Sequence, residues 1–167
     1  ARRAGLEALL ADNPKVPTPY PLRSPPGPHH PDAGRWYLDD LAATLEREDP
    51  ETIAAFIAEP IVGTSGGAIV PPEDYWPGVR ALCDAHGILL IFDEVMTGFG
   101  RTGPRFAGEH WGVTPDILVA GKGLAGGYAP IGGVFTRSDV LQPLADAGAE
   151  VMFHTFGAHP AACAAAD

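Results

Sequence analysis

Two short apolar runs, each followed by an ionisable residue, constrain this chain more than any other feature of its sequence. The runs are Ile88–Phe92 and Ile117–Ala120, and both have the length expected of strands buried in a parallel sheet. The first ends at Asp93, and the second continues through Gly121 to Lys122. Ligands bind at the carboxyl ends of the strands in open α/β sheets, so we expect this carboxylate and this amine to share one edge, one strand apart.

A carboxylate and an amine in this arrangement suit the cofactor pyridoxal phosphate (PLP). A lysine amine binds the cofactor aldehyde, and a carboxylate keeps the pyridine nitrogen protonated so that the ring withdraws electrons. Lys122 is one of only two lysines, with Lys15, and it lies between two glycines. On spacing alone, Lys122 could equally be a surface lysine on a loop, and Asp93 could instead form a salt bridge to an arginine.

Four longer motifs, in this order along the chain, decide between those alternatives. The chain resembles the class III (omega) aminotransferases, PLP enzymes of the aspartate-aminotransferase fold, in the segments AAFIAEPIVG (Ala54–Gly63), DEVMTGFGRTG (Asp93–Gly103), PDILVAGKGLAGGYAPIGG (Pro115–Gly133) and HTFGAHPAACAAA (His154–Ala166). The resemblance implies an α/β fold of three αβα layers, with a mostly parallel sheet and one antiparallel strand, as in the large domain of PLP fold type I.

The same resemblance implies a role for each of four residues. Lys122 is the catalytic lysine that binds PLP, Asp93 contacts the pyridine nitrogen, and Val95 packs against the ring face. Thr155 matches a threonine that binds the phosphate of the neighbouring subunit, which implies a homodimer with shared active sites. Glu59 and Glu94 match their motifs, but no chemical step is assigned to them, and we interpret both as structural.

The expected reaction is transfer of an amino group from an amine or omega-amino acid to a 2-oxo acid such as pyruvate. A PLP-dependent aminomutase or decarboxylase of the same fold is an alternative, and so is a truncated remnant without catalysis. The intact GRTG after DEVMTGF favours transfer over mutase chemistry. Family members specific for ornithine or 4-aminobutyrate carry a glutamate where Thr64 stands, which argues against those substrates.

Composition excludes several other classes of protein. The net charge is −10, which disfavours a nucleic-acid or anionic-membrane surface as a partner. Cys83 and Cys163 lack zinc spacing and suit two unpaired thiols in the cytoplasm. His29 and His30 are adjacent but have no third ligand nearby, so no metal site is expected.

The chain of 167 residues reads as an internal piece of a PLP-binding large domain, with Ala rather than Met at its start. Residues 1–36 are predicted to be mostly surface loop, because eight of the 18 prolines lie between Pro14 and Pro31. Residues 37–167 are predicted to form the α/β core. Because parts of the active site and a second domain are missing, we expect this piece alone to be inactive.

The remaining elements are predicted from the spacing of apolar residues and from the positions of glycine, proline and helix-capping residues. Predicted helices cover Ala1–Leu10, Tyr37–Glu48, the segment from Pro71 to His86, Phe106–Trp111 and Asp139–Ala145, the last capped by Ser138. Predicted strands are Thr52–Ala58 and Gly132–Thr136. The latter follows Lys122 by only about ten residues, too few for a parallel crossover, so it should run antiparallel to the lysine strand.

Overall fold

A computed structural model of the chain describes residues 5–25, 27, 29–149 and 154–167. Within these residues the sheet has four strands in the order β1-β2-β3-β4, and the chain also forms four α-helices. The strands are β1 (Ala55–Ala58), β2 (Leu89–Asp93), β3 (Ile117–Ala120) and β4 (Gly133–Thr136). The helices are α1 (Ala33–Glu48), α2 (Tyr75–His86), α3 (Ser138–Asp146) and α4 (Pro160–Ala166).

Three strands are parallel and the fourth is reversed. Ala58 pairs with Phe92 in the parallel β1–β2 ladder, and Asp93 pairs with Val119 in the parallel β2–β3 ladder. β4 is antiparallel to β3, with Gly133 opposite Ala120. The predicted reversed strand is therefore confirmed, and the carboxyl ends of β1, β2 and β3 meet at one edge of the sheet.

Helices α1 and α2 cover one face of this sheet and form the core with it. Helix α2 buries an apolar stripe and ends at Gly87, whose φ of +67° suits a glycine and whose N–H closes the helix on Cys83 and Asp84. The helices approach closely, because a Cβ at Gly78 would lie 2.2 Å from the Leu38 side chain. The buried core consists of Tyr37, Leu41, Leu45, Tyr75, Trp76, Val79, Cys83, Ile88, Leu90, Phe92 and Val113.

The opposite face of the sheet carries Asp93. Side chains alternate along a strand, so Asp93 and Ile91 point away from the core residues Leu90 and Phe92. Their neighbours across the sheet on this face include Ile57, which is 61% exposed, and Val134, which is 69% exposed. This second face is therefore apolar and open among the described residues.

Several predicted boundaries differ from those observed. Helix α1 begins at Ala33 rather than Tyr37, because Ala33 and Gly34 are themselves buried against the start of α2. Strand β1 begins at Ala55, since Asp49 accepts a hydrogen bond from the Glu51 N–H and fixes Pro50–Thr52 as a 3₁₀ turn.

The remaining differences concern short helices. In the first predicted helix, residues 1–4 lie outside the described residues and only Glu7–Leu9 forms a 3₁₀ turn. The segment Ala107–Trp111 is a 3₁₀ helix. Arg137 rather than Ser138 occupies the N-cap position of α3, because Ser138 already has helical geometry and forms the first residue of that helix. Within the described residues, no helix has the length and apolarity needed to span a membrane.

Candidate active site at the carboxyl edge of the sheet

The carboxyl edge of the sheet brings Asp93, Val95 and Lys122 together. Asp93 is the last residue of β2 and pairs with Val119 of β3, and Lys122 follows Val119 by three residues. Neighbouring strands lie about 4.8 Å apart and each residue rises about 3.3 Å. The Asp93 and Lys122 main chains are therefore separated by one strand spacing and up to three residues of rise, a gap that two side chains and a small ring can fill.

The carboxylate of Asp93 has one oxygen that is not hydrogen-bonded to any of the described residues. Its side chain is half-buried, and its Oδ1 accepts a hydrogen bond of 3.0 Å from the Val95 N–H. Among the residues that the structure describes, Oδ2 has no hydrogen-bond donor and the carboxylate has no cation within 4.0 Å. A partly buried carboxylate in this state is suited to a cationic or N–H partner supplied by a ligand.

Lys122 is exposed and held in an uncommon backbone conformation. It opens the 3₁₀ turn Lys122–Ala125 with a φ of +41°, a region that residues with a side chain rarely adopt. Phe99, on the facing loop, has a φ of +58°. A Cβ at Gly123 would lie 3.1 Å from the Phe99 Cβ, so the two strained segments pack tightly. Such strain clusters at functional sites.

Val95 lies beside the turn that carries Lys122. It is half-buried, and a Cβ at Gly121 would lie 3.6 Å from Val95 Cγ1. The side chain of Val95 thus faces the last glycine before the lysine. Three of the four residues predicted for the site are therefore neighbours in the structure.

The fourth predicted residue, Thr155, lies in a different segment of the chain from these three. It lies exposed in the turn before α4, and α4 packs near the 3₁₀ turn that begins at Lys122. Within the described part of the chain, no hydrogen bond joins Thr155 to Asp93, Val95 or Lys122. An exposed threonine here is available to a group outside this chain.

The loop after β1 borders the same edge. A Cβ at Gly63 would lie 3.0 Å from Met96 Cγ, and the Gly63 N–H donates to the Glu59 carboxylate. The loop is closed by a bridge between Val62 and Ile69. This turn brings a loop close to the edge where Asp93 lies.

Glu94 has a role that sequence reasoning missed. Its side chain is 0% exposed and accepts hydrogen bonds from the Thr97 hydroxyl at 2.6 Å and from the N–H groups of Ala107 and Gly108, each at 3.0 Å. The available signal was the acidic pair after an apolar strand. Because side chains alternate, only one of two consecutive acids can face the open side, and the other must enter the core.

The amino edge of the sheet holds a second cluster of charges. Asp116 is buried, and its carboxylate accepts from the Leu90 N–H at 2.7 Å and contacts Arg80 at 2.7 Å and Arg137 at 2.8 Å. Burial alone would raise the pKa of Asp116, but the Leu90 N–H and the two guanidinium groups hold that pKa below its ordinary value. Both oxygens of this carboxylate therefore have cationic or N–H partners from the chain itself.

A groove of about 820 Å³ lies elsewhere, along the outer edge of β1. It runs between the segment 13–19 and residues 53–59, and it includes neither Asp93 nor Lys122. An edge strand leaves backbone groups unpaired, which accounts for a groove at this place. The chemistry of the carboxyl edge therefore does not coincide with this cavity. Among the described residues, no cluster of three potential metal ligands was found.

The residues at the carboxyl edge fit PLP. The unpaired Oδ2 of Asp93 suits a protonated ring nitrogen, and the exposed amine of Lys122 suits the cofactor aldehyde. Val95, Gly121 and Gly123 together form a narrow apolar wall at this edge. This donor and acceptor set matches an aromatic cation that carries a carbonyl group.

Comparison with known proteins gives one consistent result. A sequence model of the family described as aminotransferase class-III matches residues 2–167. An omega-aminotransferase of Caulobacter vibrioides is 46% identical over 140 residues, which are 81% of this chain and 31% of that protein. An omega-amino acid–pyruvate aminotransferase of Pseudomonas putida is 42% identical over 133 residues, which are 76% of this chain and 29% of that protein.

Solved structures agree with these relatives. An amine transaminase from an uncultivated Pseudomonas species, in its PLP-bound form, matches with a TM-score of 0.86 and 40% identity, over 90% of this chain and 35% of that one. The chain thus spans about a third of the length of the relatives it matches. The predicted fold is confirmed: the mixed sheet with one antiparallel strand corresponds to part of the PLP fold type I large domain.

Proposed function

Because the chain belongs to the class-III aminotransferase family, we propose that the complete gene product containing it is a PLP-dependent aminotransferase. It would move an amino group from an amine or omega-amino acid to a 2-oxo acid such as pyruvate. The acceptor is suggested by the Pseudomonas putida relative, whose name includes pyruvate. The observation that carries the proposal is the shared edge on which, among the described residues, one oxygen of Asp93 has no donor and the amine of Lys122 has no ion-pair partner.

Each residue of the site has a distinct task in this reaction. PLP, when bound, supplies an electron-withdrawing ring that stabilises negative charge on the carbon bonded to the amino group. The Asp93 carboxylate would hold the proton on the ring nitrogen, and Val95 would pack on one ring face. The Lys122 Nζ would hold the cofactor at its aldehyde and, as a neutral amine, would accept the proton from the donor Cα and pass it to the carbon that carried the aldehyde.

Separated half-reactions test this function directly. The gene product is loaded with PLP and given an amine donor without acceptor, and excess donor is then removed. We expect the amino group to stay on the protein until pyruvate is added, when alanine appears in an amount equal to the sites. The ketone or aldehyde product of the donor should appear in the first step.

Two results would point elsewhere. With an omega-amino acid as the donor, release of carbon dioxide in the first step would indicate a decarboxylase, and an isomer of the donor with its amino group retained would indicate an aminomutase. Neither product, with no alanine after pyruvate addition, would contradict catalysis by this protein.

We further propose that the enzyme is a cytoplasmic homodimer with shared active sites. Thr155 supports the shared site, since it is exposed and, within the described residues, forms no hydrogen bond to Asp93, Val95 or Lys122 of its own chain. Most homo-oligomers have two-fold symmetry, so two equivalent composite sites would form. The unpaired thiols of Cys83 and Cys163 support a reducing compartment.

A mixing experiment tests the contribution of Thr155. One subunit carries Lys122→Ala and the other Thr155→Ala, and activity is assayed at limiting PLP, where a lost phosphate contact matters. If Thr155 acts across the interface, each mixed dimer contains one intact site and activity returns. Absence of recovery in confirmed mixed dimers would rule out the shared site.

A further inference from the structure

Glu94 is an acid placed where the chain otherwise keeps apolar side chains. The other large side chains that are almost completely buried are Trp76, Tyr75, Phe92, Leu90, Val79, Pro60 and Cys83. A buried carboxylate is unfavourable unless its oxygens are hydrogen-bonded. In the described part of the chain, Glu94 has no cation within 4.0 Å, so hydrogen-bond donors alone compensate its burial.

The donors come from both ends of one loop, residues 94–108. At the near end, Thr97 donates its hydroxyl to Oε2. At the far end, the N–H of Ala107 donates to Oε2 and the N–H of Gly108 to Oε1. The side chain of Glu94 therefore links the start of the loop to Ala107 and Gly108, which lie 13 and 14 residues later in the sequence.

The inner part of the same loop forms the wall beside the lysine. Val95 faces Gly121, and Phe99 lies so close to Gly123 that a Cβ on this glycine would be 3.1 Å from the Phe99 Cβ. The turn between them is tight, since the Gly98 N–H donates to the Glu94 carbonyl at 2.8 Å. Any displacement at the base of the loop would move Val95 and Phe99 relative to Lys122.

Building on the proposed function, we propose that Glu94 is a positioning residue for the cofactor. By closing the loop 94–108, its carboxylate fixes the wall between Asp93 and Lys122 against which the PLP ring packs. Glu94 does not contact the cofactor in this account. It faces the core while Asp93, its neighbour in sequence, faces the ligand.

The variant Glu94→Gln tests this role in the complete gene product. Whichever way the amide is oriented, its NH₂ group meets a backbone N–H of Ala107 or Gly108 and leaves it unpaired. We expect the Kd for PLP, titrated onto protein stripped of cofactor, to rise at least about tenfold. The visible circular dichroism of the bound cofactor should also weaken, since it reports how the ring is held.

Glu109→Gln is the matched control. Glu109 also accepts from one backbone N–H, that of Phe106, but its side chain is exposed, and a glutamine keeps an oxygen that can accept the same bond. Its PLP Kd and circular dichroism should equal those of the wild type. Thr97→Val provides a second test, because it removes one donor to Glu94 and leaves both backbone donors paired. It should raise the PLP Kd in the same direction by a smaller factor.

The outcomes separate this inference from the proposed function. If the wild type binds PLP and Glu94→Gln and Thr97→Val bind it equally well, with only their melting temperatures lowered, the positioning role is overturned and the aminotransferase proposal stands. If the folded wild type does not bind PLP, the proposed function itself fails. If Glu94→Gln does not fold, Thr97→Val decides: an unchanged Kd overturns the role, and a raised Kd supports it.

Discussion

The acids at the two edges of the sheet, Asp116 and Asp93, differ in how many hydrogen-bond and ion-pair partners the chain gives them. At the amino edge, Asp116 is surrounded by a backbone N–H and two guanidinium groups, those of Arg80 and Arg137. At the carboxyl edge, Asp93 has one backbone N–H and, among the described residues, no cation, although the amine of Lys122 lies one strand away. Each acid lies at an end of a strand. Each also has a positively charged residue in its vicinity, namely Arg80 and Arg137 for Asp116 and Lys122 for Asp93.

The difference teaches how to separate structural from functional charges in this fold. A carboxylate whose acceptors are all filled by its own chain stabilises that chain and has nothing left for a ligand. A carboxylate and an amine that share an edge without pairing keep their hydrogen-bonding capacity for a third group. We therefore expect substitutions at the amino edge to change stability and substitutions at the carboxyl edge to change activity.

The largest effect is expected at Lys122. Lys122→Ala should abolish amine transfer, because among the described residues Lys122 has the only amine at this edge that could bind the cofactor aldehyde. Its side chain is exposed and has no ion pair in the described residues, so the free energy of unfolding should change by less than about 0.5 kcal/mol. Turnover and thermal unfolding of the purified variant provide the measurements.

Lys15→Ala is the control, since Lys15 is also exposed and its amine contacts the nearby residues Asp12 and Asn13. It should keep full activity. Amine transfer by the Lys122→Ala variant would show that the carboxyl edge is not the functional edge of the sheet.

The next effect is expected at Asp93. Asp93→Asn keeps the size of the side chain but cannot hold a proton on the cofactor ring. Loss of this electrostatic contact should lower kcat by at least about 100-fold. The melting temperature of protein without cofactor should remain near the wild-type value.

Asp84→Asn, an exposed acid on α2, is a suitable control with wild-type kcat expected. Near-normal turnover by Asp93→Asn would show that the unpaired carboxylate is not reserved for the cofactor.

At the amino edge, Asp116→Asn should destabilise the protein without slowing the folded enzyme. Replacing a buried carboxylate that has two guanidinium partners should cost about 1.5–3 kcal/mol of unfolding free energy, and kcat per folded site should not change. Chemical denaturation and active-site titration measure the two quantities. A large fall in kcat with normal stability would reverse the assignment of the two edges.

The pH dependence of stability follows from the lowered pKa of Asp116. A carboxyl whose folded-state pKa is depressed contributes stability above its unfolded pKa, about 3.9, and loses it as the pH falls through the folded value. The wild type should therefore lose this contribution below about pH 4. Asp116→Asn should lack that part of the acid dependence, so the two stability curves should converge in acid. Curves that stay parallel would contradict the role of its charge.

The smallest effect is expected for Arg137→Ala. Arg137 is 52% exposed, and exposed ion pairs contribute about 0–1 kcal/mol. Asp116 would keep Arg80 and the Leu90 N–H as partners. A loss above about 2 kcal/mol would show that the network depends on the outer guanidinium as much as on the buried contacts.

Much of the site could be predicted from sequence because its signals are local. The two apolar runs place Asp93 and Lys122 at strand ends, and the short glycine-rich connection predicts the reversed β4. The contacts of Glu94 with Ala107 and Gly108 could not be predicted, since they arise only when the loop closes. Likewise, Asp116 meets arginines 36 positions before and 21 after it (116 − 80 and 137 − 116), which only the completed sheet brings together.

The early start of α1 has a similar cause. Gly34 is a poor helix former, so the sequence pattern favours a later start. In the structure a Cβ at this position would lie 2.0 Å from the Asp74 carboxylate, so glycine leaves room for this side chain at the start of α2 to lie against the first turn of α1. Packing between elements, rather than local preference, sets this boundary.

Identifying the lysine that binds the cofactor tests the central claim most directly. The complete gene product is loaded with PLP, reduced with borohydride to fix the cofactor on its lysine, digested, and mapped by mass spectrometry. We predict a pyridoxyl group on Lys122 at a stoichiometry of one per chain, and none on Lys15. A label on Lys15, on any other lysine, or on none would contradict the assignment of the carboxyl edge as the active site.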